Sequence, residues 1–384
     1  MRYAIVSETY PPEVNGVALT VESLECGLRA RGHAVEVIRP RRQRGDHAAP
    51  HELLTAGAGI PRYPGMRFGL PAGRPLRARW ATQRPDAVYI ATEGPLGWSA
   101  LRAAKALDIP VTTGFHTRFD MYMRNYGVGA LEPMALRWMR HFHGRGNATL
   151  VPTCELADFL RSQRFANVVH LPRAVDTERF DPAHRAAGLR LQWGLAPDAL
   201  AVLHLGRVAA EKNLPLAVRA FRALQQARPD ARFVWVGDGP ELAALREAHP
   251  DFVFCGTQLG AALAAHVASC DLFLFPSHSE TFGNVTLEAM ASGVPTVAFR
   301  YGAAREHLLD GVHGAAIENA DEDAFVAAAS RIGTASQFLR DAMGDQARHA
   351  VRKLQPAQVA ADLDDILQRL IHQQAWRHAH AAMA

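Results

Sequence analysis

Two carboxylates stand at the start of a helix that is otherwise built from small and apolar residues. They are Glu280 and Glu288, in the stretch SETFGNVTLEAMASG at 279–293. Carboxylates accept hydrogen bonds well from vicinal sugar hydroxyls, and a helix N-terminus offers unpaired N–H groups to an anion. The combination predicts a site for a phosphate that carries hydroxyl-rich groups. The alternative is that both acids are solvated charges that favour the helix dipole.

The chain on either side positions these two acids. The apolar run DLFLFPS precedes them as a strand, and the helix is expected to begin near Asn284. It should end before Gly293, which would take the left-handed conformation common after a helix. Glu288 would then lie one turn inside the helix and Glu280 in the preceding loop, so both can turn toward the helix N-terminus.

Strands alternate with amphipathic helices along both halves of the chain. The rhythm of RYAIVS, HAVEVIRP and DAVYIAT stops near residue 190 and restarts with LAVLHLGR. This pattern predicts an α/β protein with two Rossmann-like, doubly wound parallel sheets, at 1–190 and 191–354, and a last helix at 355–384 that crosses back to the first domain. Ligands of such sheets bind beyond the carboxyl ends of the strands.

Composition narrows the class of protein. Hydrophobic residues make up 48% and charged residues 21%, which is typical of a globular chain, and no apolar run is long enough to span a membrane. The net charge is +9 for 1–190 and −5 for 191–384, so the first half is expected to meet anionic partners. The four cysteines form no C-x-x-C pair, which favours free thiols in a cytoplasmic protein.

Four motifs in order resemble those of the retaining GT-B glycosyltransferases of family 4. They are SETYPPEVNGV at 7–17, GRVAAEKNL at 206–214, GDGPE at 237–241 and the stretch at 279–295. The first motif and FHTRFDMY at 115–122 are most similar to those of GDP-mannose-dependent α-mannosyltransferases and of glycolipid or sulfolipid synthases. The resemblance implies a GT-B fold with a cleft between its domains.

The resemblance assigns the donor to the second half. Arg207 and Lys212 would hold the donor diphosphate, and two cations can neutralise a departing diphosphate without a metal. Lys212 is one of only three lysines in the chain. Glu288 would bind the ribose hydroxyls, and Glu280 would lie beside the donor sugar. The remaining donor contacts expected are Gly16, Gly237, Gly239, Phe282, Gly283, Asn284 and Val285.

The resemblance also assigns His116, which should face the donor sugar from the acceptor side as the catalytic partner of Glu280, Arg207 and Lys212. Its expected work is hydrogen bonding to a sugar hydroxyl and support of positive charge at the anomeric centre. The acceptor side would further include Asn15, Thr117, Arg118 and Tyr122. One departure concerns RAVDTERF at 173–180, where Ala174 replaces a family glycine; a positive φ at that glycine would require a different local backbone here.

These residues favour transfer of a hexosyl group, most readily mannosyl from GDP-mannose, to a lipid or glycan acceptor. The resemblance implies retention of configuration, and no metal or other cofactor is expected. The alternatives are a UDP-sugar-dependent glycolipid synthase that transfers glucosyl, glucuronosyl or sulfoquinovosyl to diacylglycerol, and a non-catalytic sugar-nucleotide-binding protein. An epimerase, a phosphorylase and a dinucleotide dehydrogenase fit the motifs less well.

The first half also contains a candidate membrane-binding helix. In LEPMALRWMRHFHGR at 131–145, apolar and basic residues alternate around Trp138. A basic amphipathic helix of this kind can lie on an anionic membrane surface, which would place the enzyme peripherally on the inner face of the membrane. An ordinary packed helix with a solvated basic face is the alternative. Aromatic residues do not interleave with basic ones as stacking platforms, so nucleic acid is not an expected partner.

Overall fold

The computed structural model describes residues 1–13, 15–43, 45–59, 67–116, 132–277, 282–318 and 320–381. The chain divides into two compact units. Unit 1 comprises Met1–Ala174 together with Pro356–Ala384, and unit 2 comprises Val175–Gln355.

Unit 1 is built on a parallel sheet whose central strands are buried on both faces. Its order is β3-β2-β1-β6-β7-β8-β9, and a small antiparallel pair, β4 and β5, lies outside it. The strands are β1 Arg2–Val6, β2 Ala34–Pro40, β3 Glu52–Thr55, β4 Gly57–Gly59, β5 Arg67–Gly69, β6 Ala87–Ile90, β7 Val111–Gly114, β8 Ala148–Val151 and β9 Val168–His170. Tyr3 and Ile5 enter one apolar core while Ala4 and Val6 enter another on the opposite face, as the two-residue period of a strand requires.

In the part of unit 1 that the structure describes, six helices cover this sheet: Gly16–Ala30, Gly73–Thr82, Pro95–Ala106, Glu132–His143, Cys154–Ser162 and the C-terminal Pro356–Ala381. The first ends before Gly32, which has the positive φ of 85° that is common for a glycine just after a helix.

Within its described residues, unit 2 repeats the plan with six parallel strands in the order β12-β11-β10-β13-β14-β15. These are β10 Ala201–Leu205, β11 Arg232–Val236, β12 Val253–Gly256, β13 Leu272–Phe275, β14 Thr296–Phe299 and β15 Gly314–Ile317. The helices are Ala187–Gln192, Leu214–Ala227, Leu242–Ala248, Gly260–Ala268, Asn284–Ala291, Gly302–His307, Glu322–Gly333 and Gln337–Val351. The prediction of two doubly wound sheets is therefore confirmed.

Each sheet reverses its strand order once, and the reversals locate the ligand edges. In unit 1 the switch lies between β1 and β6, and in unit 2 between β10 and β13. Ligands of open α/β sheets bind at such points, outside the carboxyl ends of the strands. The loops after these four strands are therefore the first places to look for chemistry.

The division between the units falls after Ala174, earlier than the boundary near 190 expected from the sequence. The intervening segment has no strand, but it packs within unit 2. The Val175 N–H donates to the Leu354 carbonyl at 2.8 Å, and Arg190 donates to the Asp271 carboxylate at 2.9 Å. The strand rhythm shows where a sheet restarts, whereas these contacts decide which unit holds the segment before it.

The C-terminal helix is fixed to unit 1 by a buried acid. Asp364 is 1% exposed and accepts hydrogen bonds from the Tyr3 hydroxyl at 2.7 Å and the Arg31 Nε at 3.0 Å. Burial by itself raises the pKa of Asp364, but the hydrogen-bond donors outweigh it and leave the pKa at about 2, below its ordinary value. From the sequence alone, DLDD at 362–365 is expected to form a solvated helix face. For Asp364 this interpretation is wrong, because its side chain is buried against Tyr3 and Arg31, which lie more than 300 positions away in the chain.

Among the described residues, no helix combines the length and the apolarity needed to cross a membrane.

Candidate active site

The loop after β10 presents the two cations predicted to hold a diphosphate. Arg207 is just past the strand, its side chain is 55% exposed, and it lies 3.5 Å from the Glu211 carboxylate. Lys212 ends a 3-10 turn at Ala210–Lys212, and its Nζ lies 6.0 Å from the centre of the Phe275 ring at the end of β13. Lys212 therefore lies at the switch point of unit 2, where the ends of β10 and β13 meet.

The GDGPE turn after β11 packs tightly on this loop. A Cβ at Gly237 would lie 1.9 Å from the Gly206 carbonyl oxygen, and one at Gly239 would lie 2.2 Å from the Val208 carbonyl oxygen. The Val208 N–H donates to the Asp238 carbonyl at 3.0 Å. Both glycines are thus required by contact between two loops, a reason that the sequence does not reveal. Their contact with a donor stays a prediction.

The helix after β13 begins where the sequence indicates. It spans Asn284–Ala291, and its N-cap is Gly283 with a φ of 86°, which supplies no side chain to cap the first amides. Phe282 is buried and its carbonyl accepts from the Ala303 N–H at 2.7 Å, which fixes the entry to the helix. Gly293 has a φ of 69°, so the predicted left-handed stop is confirmed. The first turn, with Val285, can therefore offer backbone N–H groups to an anion.

Glu288 lies one turn into this helix and is half-buried. Its carboxylate accepts no hydrogen bond from the part of the chain that the structure describes. Burial raises the pKa of Glu288 from 4.5 to about 7, and the charge of Arg179 opposes that rise only in part. A partly buried carboxylate without donors is costly unless a ligand supplies them, and perturbed acids of this kind concentrate at functional sites.

In unit 1 the loop after β1 leads directly into the Gly16–Ala30 helix. Asn15 is its N-cap, and the side-chain oxygen accepts from the Val17 and Ala18 N–H groups at 3.1 and 2.9 Å. Its amide donates to Thr9 Oγ1 at 2.6 Å. Asn15, predicted on the acceptor side, therefore already acts as a structural cap. Gly16 is the first helical residue, at the switch point of this sheet.

His116 lies two residues beyond the end of β7, within a buried polar group. Its Nδ1 accepts a hydrogen bond from Arg173 Nη2 at 2.8 Å, and its Nε2 is 2.6 Å from the Tyr89 hydroxyl. Burial, followed by the charge of Arg173, holds the pKa of His116 well below its usual range. The imidazole is therefore neutral at physiological pH. A neutral ring is suited to hydrogen bonding rather than to donating a proton as an imidazolium.

Four predicted residues lie outside the described residues. They are Glu280, Thr117, Arg118 and Tyr122. Of the others, the structure gathers Arg207, Lys212, Gly237, Gly239 and the 282–288 segment at one edge of the unit 2 sheet, and Asn15, Gly16 and His116 at one edge of the unit 1 sheet.

Two residues in contact with His116 were not predicted as functional. Tyr89 is the third residue of β6 and is buried inside an apolar run, so it resembles a core residue in the sequence. Arg173 opens the motif RAVDTERF, and this was the signal that could have identified it. Ala174 is not among the residues with positive φ, so its methyl group fits the local backbone without strain.

The Glu132–His143 helix combines a buried face with an exposed apolar one. Met139 and Phe142 are buried, whereas Met134 is 63% and Trp138 41% exposed. Trp138 packs on Trp98 with ring centres 5.1 Å apart, and the nearby basic residues are Arg137, Arg140, His141 and Arg145. Exposed tryptophan and methionine among cations form a surface suited to the interface of an anionic bilayer.

Two doubly wound parallel-sheet domains, with cations and a carboxylate at the switch point of the second, define a GT-B glycosyltransferase. The family models agree. Residues 14–179 match the model described as Glycosyltransferase Family 4, and residues 199–334 match the one described as Glycosyl transferases group 1. The chain belongs to the family 4 glycosyltransferases.

Individual proteins of known description show a more specific similarity than the family models do. A GDP-mannose-dependent alpha-mannosyltransferase of Mycolicibacterium smegmatis is 38% identical over 315 residues, which cover 80% of this chain and 81% of that protein. One of the same description from Corynebacterium glutamicum is 35% identical, over 84% of this chain and 78% of that protein. Among solved structures, sucrose-phosphate synthase from Thermosynechococcus elongatus has a TM-score of 0.76 at 18% identity, covering 97% of this chain and 99% of that chain.

Proposed function

We propose that this glycosyltransferase transfers mannose from GDP-mannose to a lipid or lipid-linked acceptor with retention of configuration. The observation that carries the proposal is the switch point of unit 2. There Glu288, whose carboxylate has no hydrogen-bond donor among the described residues, follows a helix N-terminus without a side-chain cap, and the neighbouring loop contributes Lys212. These are the groups that a ribose and a diphosphate require. The names of the 38% and 35% identical relatives favour GDP-mannose as the donor.

The proposed mechanism depends on the negative charge that develops on the departing diphosphate. Cleavage of the sugar–phosphate bond places negative charge on the departing diphosphate, and Arg207, Lys212 and the amides near Asn284 would stabilise it. Two fixed cations suffice for this in the proposal, without a metal or another cofactor. Because His116 is neutral and its Nδ1 already accepts from Arg173, it is poorly placed to remove a proton. The acceptor proton would therefore pass to the departing phosphate, as front-face attack requires.

The acceptor is proposed from the exposed face of the Glu132–His143 helix. Met134 and Trp138 would enter the lipid interface, and the surrounding cations would contact anionic head groups. The enzyme would then work peripherally at the inner surface of the membrane, with unit 1 supplying the acceptor side and unit 2 the donor side.

Nucleotide binding separates GDP-mannose from the UDP-sugar alternative. A nucleotide at about 100 times its Kd should stabilise its binding domain by about 2.7 kcal/mol, or roughly 5–10 °C in Tm. We expect this shift with GDP and a smaller one with UDP at equal concentration, measured by differential scanning fluorimetry. A larger shift with UDP would favour the glycolipid synthase alternative, and no shift with either would contradict the donor class. As a control, Glu247→Gln removes an exposed carboxylate of the same unit and should show the same Tm shifts with GDP and UDP as wild type.

A further inference from the structure

Arg173 is a buried cation that contacts no anion among the residues that the structure describes. It is 5% exposed, and within the described part of the chain its guanidinium contacts no carboxylate. Its Nε has no hydrogen-bond partner among those residues. Burial lowers the pKa of Arg173 to about 10, which reflects the cost of holding the charge there. A group that is costly to bury and is not paired for stability usually serves another purpose.

The guanidinium joins two functional elements of unit 1. Its Nη2 donates to His116 Nδ1 at 2.8 Å. Its Nη1 donates to the Thr20 hydroxyl and, at 3.4 Å, to the Gly16 carbonyl in the first turn of the Gly16–Ala30 helix. Arg173 thus links the histidine after β7 to the switch-point loop after β1.

The same contact fixes the proton on the imidazole. A guanidinium has donors and no acceptor, so Nδ1 must present its lone pair to Arg173. The ring proton is then on Nε2, which donates to the Tyr89 oxygen at 2.6 Å. Gly114 makes room for this pair, because a Cβ there would lie 2.5 Å from both His116 Nε2 and the Tyr89 oxygen. Within the described ranges, the other titratable groups around the ring are His143 and, hydrogen-bonded to it at 3.2 Å, Glu93.

We propose that Arg173 is a positioning residue, which holds His116 as the neutral Nε2–H tautomer and ties it to the first turn of the Gly16–Ala30 helix. His116 then meets its substrate with a defined donor, Nε2–H. This N–H can exchange the Tyr89 oxygen for a sugar oxygen as its hydrogen-bond acceptor, and the charge of the ring does not change. The catalytic consequence rests on the proposed function, whereas the tautomer and the tether do not.

Ring-nitrogen NMR tests the tautomer directly. In ¹⁵N-histidine-labelled protein, with His116 assigned by comparison with His116→Gln, wild type should show a protonated Nε2 and an unprotonated Nδ1 from pH 6 to 9. Arg173→Met removes the donor and should give the other tautomer or a mixture. Arg173→Lys, which retains a cationic donor, and Tyr89→Phe, which removes only the Nε2 partner, should both retain the wild-type pattern. An unchanged tautomer in Arg173→Met would overturn the proposal, as would a protonated Nδ1 in wild type.

Kinetics supply the second readout, with mannosyl transfer from GDP-mannose as the assay. Arg173→Met should lower kcat at least tenfold while changing KM for the donor less than threefold, and Arg173→Lys should recover most of the loss. Thr20→Val removes the hydroxyl contact of the tether and leaves only the longer one to the Gly16 carbonyl, so it should lower kcat with the His116 tautomer intact. Arg161→Gln, at an exposed arginine on the Cys154–Ser162 helix, should match wild type.

If Arg173→Met shows the expected change of tautomer but the wild-type protein transfers no mannose, the proposed function is contradicted and the positioning role is still supported. If Arg173→Met does not fold, wild type, Arg173→Lys and Thr20→Val still decide the matter, because equal kcat in all three would overturn the tether.

Discussion

Lys212→Met is expected to lower kcat/KM for the sugar nucleotide by about 10²–10³-fold. The substitution removes the cation and keeps an unbranched apolar stem, so the contact with the Phe275 ring is largely preserved. Because charge grows on the diphosphate as the bond breaks, most of the loss should appear in kcat rather than in KM. Steady-state kinetics at saturating acceptor measure the split.

The chain provides a close control for this change. Lys353 is an exposed lysine in the same unit, at the 3-10 turn Arg352–Leu354, and Lys353→Met should leave both constants within twofold of wild type. Equal kcat/KM values for Lys212→Met and wild type would contradict the proposed contact between Lys212 and the donor diphosphate.

Glu288→Gln should weaken GDP binding by about tenfold to a hundredfold at pH 8. A hydrogen bond to a charged acceptor contributes about 1.5–3 kcal/mol, and the neutral amide presents a weaker acceptor to the ribose. Isothermal titration calorimetry measures the difference. Loss of fold would not explain it, because the raised pKa means that ionised Glu288 destabilises the free protein above pH 7, and the neutral amide removes that cost.

Glu288 should also make binding pH-dependent. Its pKa is about 7 in the free protein, and ribose donors that prefer the carboxylate would bring it back toward 4.5. The wild-type affinity should therefore rise with pH below 7, by at most tenfold per unit, and become level above it. The ratio of wild-type to Glu288→Gln affinity cancels titration of the nucleotide itself. A ratio that stays constant from pH 5.5 to 8 would contradict the proposed ribose contact.

Local signals in the sequence were enough for the alternation of strands and helices in both halves and for the Glu288 helix, whereas the segment with β3, β4, β5 and the Gly73–Thr82 helix was not predicted. The apolar run before Asn284, the glycine at 293 and the lysine at 212 each act within a few residues, and the structure has the elements where these signals indicate them. The alternation of strands and helices predicts parallel sheets, and the structure supplies the strand order, which places the loops of β10 and β13 side by side.

Contacts between distant parts of the chain were beyond the reach of such signals. Asp364 is buried because Tyr3 and Arg31 meet it from the other end of the sequence. Arg173 reaches His116 across 57 positions, and no periodicity in the sequence reports that contact. Gly237 is needed for a carbonyl in a neighbouring loop, although the motif alone favours a role against the ligand.

Direct transfer from labelled GDP-mannose to a membrane lipid extract tests the central claim. The purified protein should release GDP and give a mannolipid whose linkage is α by NMR, with transfer reduced at least a hundredfold in Lys212→Met. UDP-glucose, UDP-glucuronic acid and UDP-sulfoquinovose should support much less transfer under the same conditions. A β-linked product, preferred transfer from any of the UDP-sugars, or stoichiometric GDP binding without transfer to any lipid or glycan in the extract would contradict the assignment.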